Sequence, residues 1–297
     1  VSTQLNAAIE DKPTSTTPRI DPTAFVHPTA QLGDGVVIGR GAYVGPNCAL
    51  GDRTVLMHNA TVLAHTTLGT DNVLHPGAVL GGDPQDRAFN PNAPGLLIVG
   101  DRNIFREHVT VSRSTGEERP TRIGSGCMFM ACAHAGHNAI VGDNVILVNS
   151  AVLAGWTEVG SNATLSGFCG VHQFCRIGEG VMFRGRAIAT KHVPPFVLFT
   201  EMNQVAGLNR IGIRRNPNLT AQERADIREA YRAFYGGSAA RPFAERVDAL
   251  NALTLAPAGE RFRAFVLECA NAEGRFRRGI AGKRPKRGAG EDGSDDE

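Results

Sequence analysis

The sequence predicts an all-β solenoid, a parallel β-helix of six-residue repeats, followed by a small C-terminal helical domain. Three observations carry this. From Ile20 to Leu80 an aliphatic residue falls on every sixth position: Ile20, Val26, Leu32, Ile38, Val44, Leu50, Leu56, Val62, Leu68, Leu74 and Leu80. The register resumes one residue out of phase at Ile123 and runs to Phe183, with Gly, Asp or Asn crowding the next positions in units such as IGRGAY, VGPNCA and VGDNVI. Beyond HVPPF (192–196) the period of six stops and helical spacing replaces it. A helix would place its apolar residues three and four apart and a half-buried strand would alternate, so neither template produces a strict six.

Each unit of six can form one short strand and one corner, and three units make a triangular coil of eighteen residues. Aliphatics then stack inside the prism, and residues eighteen apart share one slot of successive coils. In chain order, residues 1–18 are polar, rich in Pro and Thr, and read as a flexible arm. Residues 19–192 are the β-helix, with loop insertions near 83–97 and 112–122 where the register breaks; such loops are where binding residues tend to sit. The prolines of HVPPF cannot continue a coil. Residues 193–280 read as helical: Thr220-Ala-Gln-Glu223 is a capping box ahead of Ile227, Tyr231 and Phe234, Gly236-Gly237 ends that helix, and further helices are expected near Pro242–Leu253 and Glu260–Ala272. Residues 281–297 read as a disordered charged tail.

The net charge of +2 is unevenly distributed. Residues 201–290 hold 17 Lys and Arg against 9 Asp and Glu, whereas 291–297 hold 5 acids and no base. A cationic helical domain suits a phosphate-bearing or acidic protein partner, although single arginines on a helix are often only solvated. Four of the six cysteines (Cys48, Cys127, Cys169, Cys175) fill the small fifth slot of their repeats, and no Cys-x-x-Cys occurs, so they read as free wall thiols of a cytoplasmic protein. Neither a secretory segment nor an apolar run of membrane-spanning length is visible. The chain opens on Val1 and is read as lacking a native first residue.

The chemistry concentrates in MFMACAHAGHNAIVG. His137, Gly155 and Gln173 lie eighteen apart, hence in one column, flanked by Trp156 and His172. A lone histidine in a coil wall reads first as a structural ring. Beside a glycine and polar neighbours one coil away, it can serve as a base next to an exposed backbone N–H.

These motifs carry a resemblance. IDPTAFVHPTA, GGDPQD, IFREHVTVSRST, AHAGHN, GVHQFCRIG, VPPF and GLNRIGIRRN, in this order from about Arg19 to Arg215, resemble the UDP-N-acetylglucosamine O-acyltransferases that use acyl carrier protein thioesters at the first step of lipid A synthesis. The resemblance implies a left-handed β-helix, a handedness that the usual right-handed crossover of parallel strands would not predict. It also implies a cytoplasmic homotrimer with sites between neighbouring prisms, no nucleic-acid partner, no metal, and no cofactor beyond the phosphopantetheine that arrives on the donor. On the matching positions, His137 would be the general base, Asn138 would orient it, and the Gly155 N–H would hold the oxyanion. Asp86 and His134 would sit near the sugar, His172, Gln173, Asn209 and Arg215 near the nucleotide, and Gly185 beneath the acyl chain.

The chain departs from that pattern at Asn138, where an aspartate is usual, at Trp156, usually histidine, at Ala88, usually lysine, and near Ile211, usually acidic. Trp156 is expected to border the substrate. Two other readings stand beside the acyltransferase: a non-catalytic or altered-specificity relative that binds a nucleotide sugar or a carrier protein, favoured by Asn138 and Trp156, and a γ-type carbonic anhydrase with zinc on His134, His137 and His172.

Overall fold

The structure is a computed structural model that describes residues 16–237 and 241–284. Most of the expected arm (1–15) and of the charged tail (285–297) lies outside the described residues. From Arg19 onward, mostly two-residue strands recur every six positions and pair in parallel one coil apart, as in Val37↔Val55 and His134↔Val152. Among the described residues they form three sheets of twelve, nine and eight strands, the three faces of a prism. The solenoid is a left-handed parallel β-helix.

The repeat explains this coil residue by residue. Ile38, Val44, Leu56, Leu74, Leu80, Leu147, Leu153 and Leu165 are at most 1% exposed and stack along the axis. Each such side chain contributes roughly 1.5–3 kcal/mol through burial. Ile20, at the first described coil, is 45% exposed because no coil among the described residues covers it. The corners carry their own period of six in left-handed backbone, with φ near +60° at Gly35, Gly41, Asn47, Asn59, Asp71, Asn138, Asn144 and Asn162. Gly and Asn reach that region at the least steric cost. Bulky residues are held there too: Trp156 at φ +62°, Phe168 at +59° and Phe174 at +65°.

Buried cysteines fit the small wall slots. Cys48 Sγ donates to the Leu63 carbonyl at 3.0 Å and Cys127 Sγ to that of Gly142 at 3.1 Å. Burial raises the Cys127 thiol to about 12 and the Cys175 thiol to about 11, so neither supplies a thiolate near neutral pH.

Two boundaries differ from expectation. The region expected to be helical from 193 opens with more sheet: Val197–Thr200 extends the twelve-stranded face in parallel with Met182–Phe183, and Gln204–Leu208 pairs antiparallel to it. Helices follow at Arg210–Arg215, Ala221–Tyr235, Phe243–Asn251 and Pro257–Ala270, the second with the capping box in place. The expected tail also begins late, since Gly282–Lys283 pairs with Gln204–Val205. Edge strands with open hydrogen-bonding groups recruit whatever extended chain is at hand, and helical periodicity cannot register that. Buried His192 fastens the returning segment: its Nδ1 accepts from the Arg176 N–H at 3.0 Å while its Nε2 donates to the Phe276 carbonyl at 2.8 Å.

Candidate active site

The strand His134–Ala135 on the nine-stranded face leads into a corner, Gly136 to Ala139, before the next strand Ile140–Val141. His137 sits on that corner and is 8% exposed. Its Nδ1 lies 2.9 Å from Asn138 Oδ1, which also accepts from the Thr115 N–H at 3.2 Å and the Thr115 hydroxyl at 3.1 Å. Asn138 Nδ2 donates to the Arg119 carbonyl at 2.8 Å, and that bond settles which end of the amide is oxygen. An amide oxygen only accepts, so His137 Nδ1 donates to it, and in the neutral ring the lone pair lies on Nε2.

Gly155 lies one coil along, directly beneath the ring. A Cβ there would stand 2.5 Å from Nε2 and 2.7 Å from Cε1 of His137, distances no carbon tolerates. The glycine is therefore required by the histidine above it. Its own N–H lies in a buried residue and has no protein acceptor among the described residues. The Nε2 atom and a free N–H thus adjoin, the arrangement that in the neutral ring removes a proton from a nucleophile and stabilises an oxyanion.

His134 Nδ1 lies 2.7 Å from the Thr110 hydroxyl, and burial, reinforced by His137, holds its ring below the ordinary imidazole value against the opposing effect of Thr110. His172 is exposed and meets the Arg278 guanidinium at 2.8 Å, a partner sequence spacing did not suggest. Exposed Gln173 completes the His137 column.

Trp156 is half-buried. Its indole stacks on Phe174 at 6.1 Å, and the Arg119 guanidinium lies 5.3 Å above it. Arg119 also faces Phe276 at 5.5 Å and pairs with Glu158 at 2.5 Å. Sequence reasoning missed Thr115, Arg119 and Phe276; the only signal for the first two was that 112–122 interrupts the register, and Phe276 had none.

Other expected residues make no hydrogen bond or ion pair with His137 among the described residues. Asp86 is exposed on the first insertion and accepts from the Ala88 N–H at 2.9 Å, with no hydrogen bond or ion pair among the described residues linking it to His137. Gly185 occupies the corner where the twelve-stranded face turns into the nine-stranded one. Asn209 and Arg215 line a 360 Å³ cavity with Asn144, Asn162 and Gly180, at the corner between the eight- and twelve-stranded faces. Asn209 is also the cap of its helix: Oδ1 accepts from the Gly212 N–H, and Nδ2 donates to the Gly180 carbonyl.

A coiled hexapeptide prism with an oriented histidine over a free backbone N–H is the build of a hexapeptide-repeat acyltransferase. Comparisons with known proteins narrow this. Residues 192–281 match the family model described as Udp N-acetylglucosamine O-acyltransferase; Domain 2. The acyl-[acyl-carrier-protein]–UDP-N-acetylglucosamine O-acyltransferase of Stenotrophomonas maltophilia (strain R551-3) is 44% identical over 225 residues, 75% of this chain and 85% of the relative. That of Thiobacillus denitrificans is 46% identical over 218 residues, 73% of this chain and 84% of the relative. The crystal structure of the Francisella novicida UDP-N-acetylglucosamine acyltransferase superposes with a TM-score of 0.81 at 30% identity, covering 90% of this chain and 94% of that one. The chain belongs to the acyl-[acyl-carrier-protein]–UDP-N-acetylglucosamine O-acyltransferase family, and the carbonic anhydrase reading is set aside by that membership.

Proposed function

We propose that the protein moves a 3-hydroxyacyl or plain acyl group from acyl carrier protein to the 3-position of UDP-N-acetylglucosamine or a close UDP-amino-sugar, the first step of lipid A synthesis. The observation that carries the mechanism is the Nδ1 bond of His137 to Asn138, which leaves Nε2 free above Gly155. His137 Nε2 takes the proton of the sugar hydroxyl as its oxygen attacks the thioester carbonyl. The carbonyl oxygen becomes an oxyanion held by the Gly155 N–H. Collapse breaks the C–S bond, and His137 returns the proton to the departing carrier thiol, so ester and thiol leave in balance. The protein's residues perform this without a bound cofactor.

A homotrimer completes the site. The expected sugar, nucleotide and acyl positions occupy all three corners of one prism, so a neighbouring copy must bring them together. The nine-stranded face that bears His134 also exposes Val152 (41%) and Ile188 (42%), with Phe168 (67%) at its edge. Such an apolar face suits a protein neighbour. Among the described residues no helix is long and apolar enough to cross a membrane. Free cysteines at six positions suit a reducing cytoplasm.

The carrier would dock on a groove of 760 Å³ lined by Arg210, Arg214, Arg224, Arg228 and Arg232 with Tyr231. Its charge complements an acidic protein. The test is His137→Ala: kcat should fall roughly 10²–10⁴-fold while UDP-sugar binding and assembly persist. Turnover within about tenfold of wild type, in a variant that still binds the sugar nucleotide, would remove His137 from the mechanism.

A further inference from the structure

We propose that Arg119 is a positioning residue for His137 and that Trp156 is the shelf that holds it in place. The proposal rests on the reading of His137 as the base. A carboxylate at position 138 would orient the ring with either oxygen, whereas an amide must be turned the right way. If Asn138 flipped, its NH2 would face the His137 Nδ1–H and the Thr115 N–H, donor against donor, and its oxygen would face the Arg119 carbonyl. The Arg119 carbonyl, together with the Thr115 N–H, therefore selects the amide orientation, and with it the tautomer that leaves Nε2 free.

That carbonyl lies on the second insertion, outside the coil ladder, and needs its own support. Pro120, next in the chain, confines Arg119 to extended backbone. The Arg119 side chain is gripped between the Trp156 and Phe276 rings and paired with Glu158. Trp156 is well placed for this: its backbone N–H donates to the His137 carbonyl at 2.9 Å, and its ring continues the corner column Asn138, Trp156, Phe174. All three have left-handed backbone, with φ of 59°, 62° and 65°. Asn138 and Trp156, two departures from the pattern the sequence resembles, thus form one device: the amide needs an acceptor, and the aromatic shelf supplies it by holding the loop.

Arg119→Met tests this, because it keeps the backbone carbonyl and the aliphatic stem but removes the cation held between the rings. Trp156→Asn is the companion, since asparagine accepts φ +62° and leaves no shelf. Each should lower kcat roughly tenfold, the kinetic equivalent of about one hydrogen bond, with the UDP-sugar KM within about twofold. In the Asn138→Ala background neither should cost anything more, the non-additivity expected of residues acting through one another. Nitrogen spectra of histidine-labelled protein should show a single Nδ1–H tautomer at His137 in wild type and a mixture in either variant, whether or not the protein turns over. A lowered Tm with kcat and the tautomer unchanged would overturn the proposal, as would an effect fully additive with Asn138→Ala or confined to KM. Should Arg119→Met not assemble, Trp156→Asn carries the same cycle. Failure of the base assignment would be seen separately, as an active His137→Ala enzyme.

Discussion

Gly155→Ala is the smallest change that should disable the site. The added methyl carbon would stand 2.5, 2.7 and 3.0 Å from Nε2, Cε1 and Cδ2 of His137, whereas ordinary contact begins near 3.4 Å. Relief requires the ring tip to move by about 1 Å, and the imidazole gives way sooner than the coil backbone because it turns about its own side-chain bonds. That swing pulls Nδ1 from Asn138, now 2.9 Å away. A misplacement of about 1 Å typically costs on the order of 10²-fold in rate, so kcat should drop about a hundredfold. Stability should change little, because the inward stack at Leu153 and Ala135 is untouched. Continuous detection of released carrier thiol, with saturating UDP-sugar, gives kcat, and calorimetry gives Tm. A Gly155→Ala enzyme with kcat within about threefold of wild type would show that the ring is not held over Gly155 during turnover and would refute the argument.

Four further outcomes follow from the same geometry. Asn138→Asp should destabilise the protein by roughly 1–3 kcal/mol, because a carboxylate would face the Arg119 carbonyl where an N–H now donates, and denaturant titration measures it. Gly185→Met should shift preference to shorter acyl chains, since a Cβ there meets only the Gly167 carbonyl at 3.6 Å and the side chain can extend without a clash; a chain-length series read by mass spectrometry would reveal an unchanged profile if the position is remote. Arg228→Glu should raise the KM for the carrier-bound donor and weaken its salt dependence, with the UDP-sugar KM unmoved; it is a cleaner probe than Arg224, which also bonds the Asn216 carbonyl. Burial holds His192, as it does His75 and His134, below the ordinary imidazole value, so the folded state favours the neutral ring. The resulting stability is complete above the unfolded value of about 6.5 and is lost as pH falls below it. Tm should therefore decline between about pH 7 and pH 5, and His192→Gln should flatten that slope; an equal slope would exclude His192 from it.

Much of the fold is carried by local pattern. The aliphatic every sixth residue determined the inward stack, because each coil contacts only its neighbours and repeats the same burial decision. The same counting places His137 over Gly155, since eighteen residues close one turn. The capping box at Thr220 and Glu223 was equally local, requiring only the four residues it joins.

What the period could not encode was decided by chain that leaves the coil. Arg119 and Thr115 belong to an interruption with no register, yet they turn the Asn138 amide, and Phe276 arrives from 120 positions beyond Trp156 to close the arginine's cage. Gly282–Lys283 joined a sheet because Gln204–Leu208 offered an open edge, a partner more than seventy residues away. Asn209 was spent on capping its own helix, which only the position of the Gly180 carbonyl reveals. Repeated nearest-neighbour packing is written in the sequence, whereas non-repeating contacts between distant segments depend on where the tertiary fold delivers them.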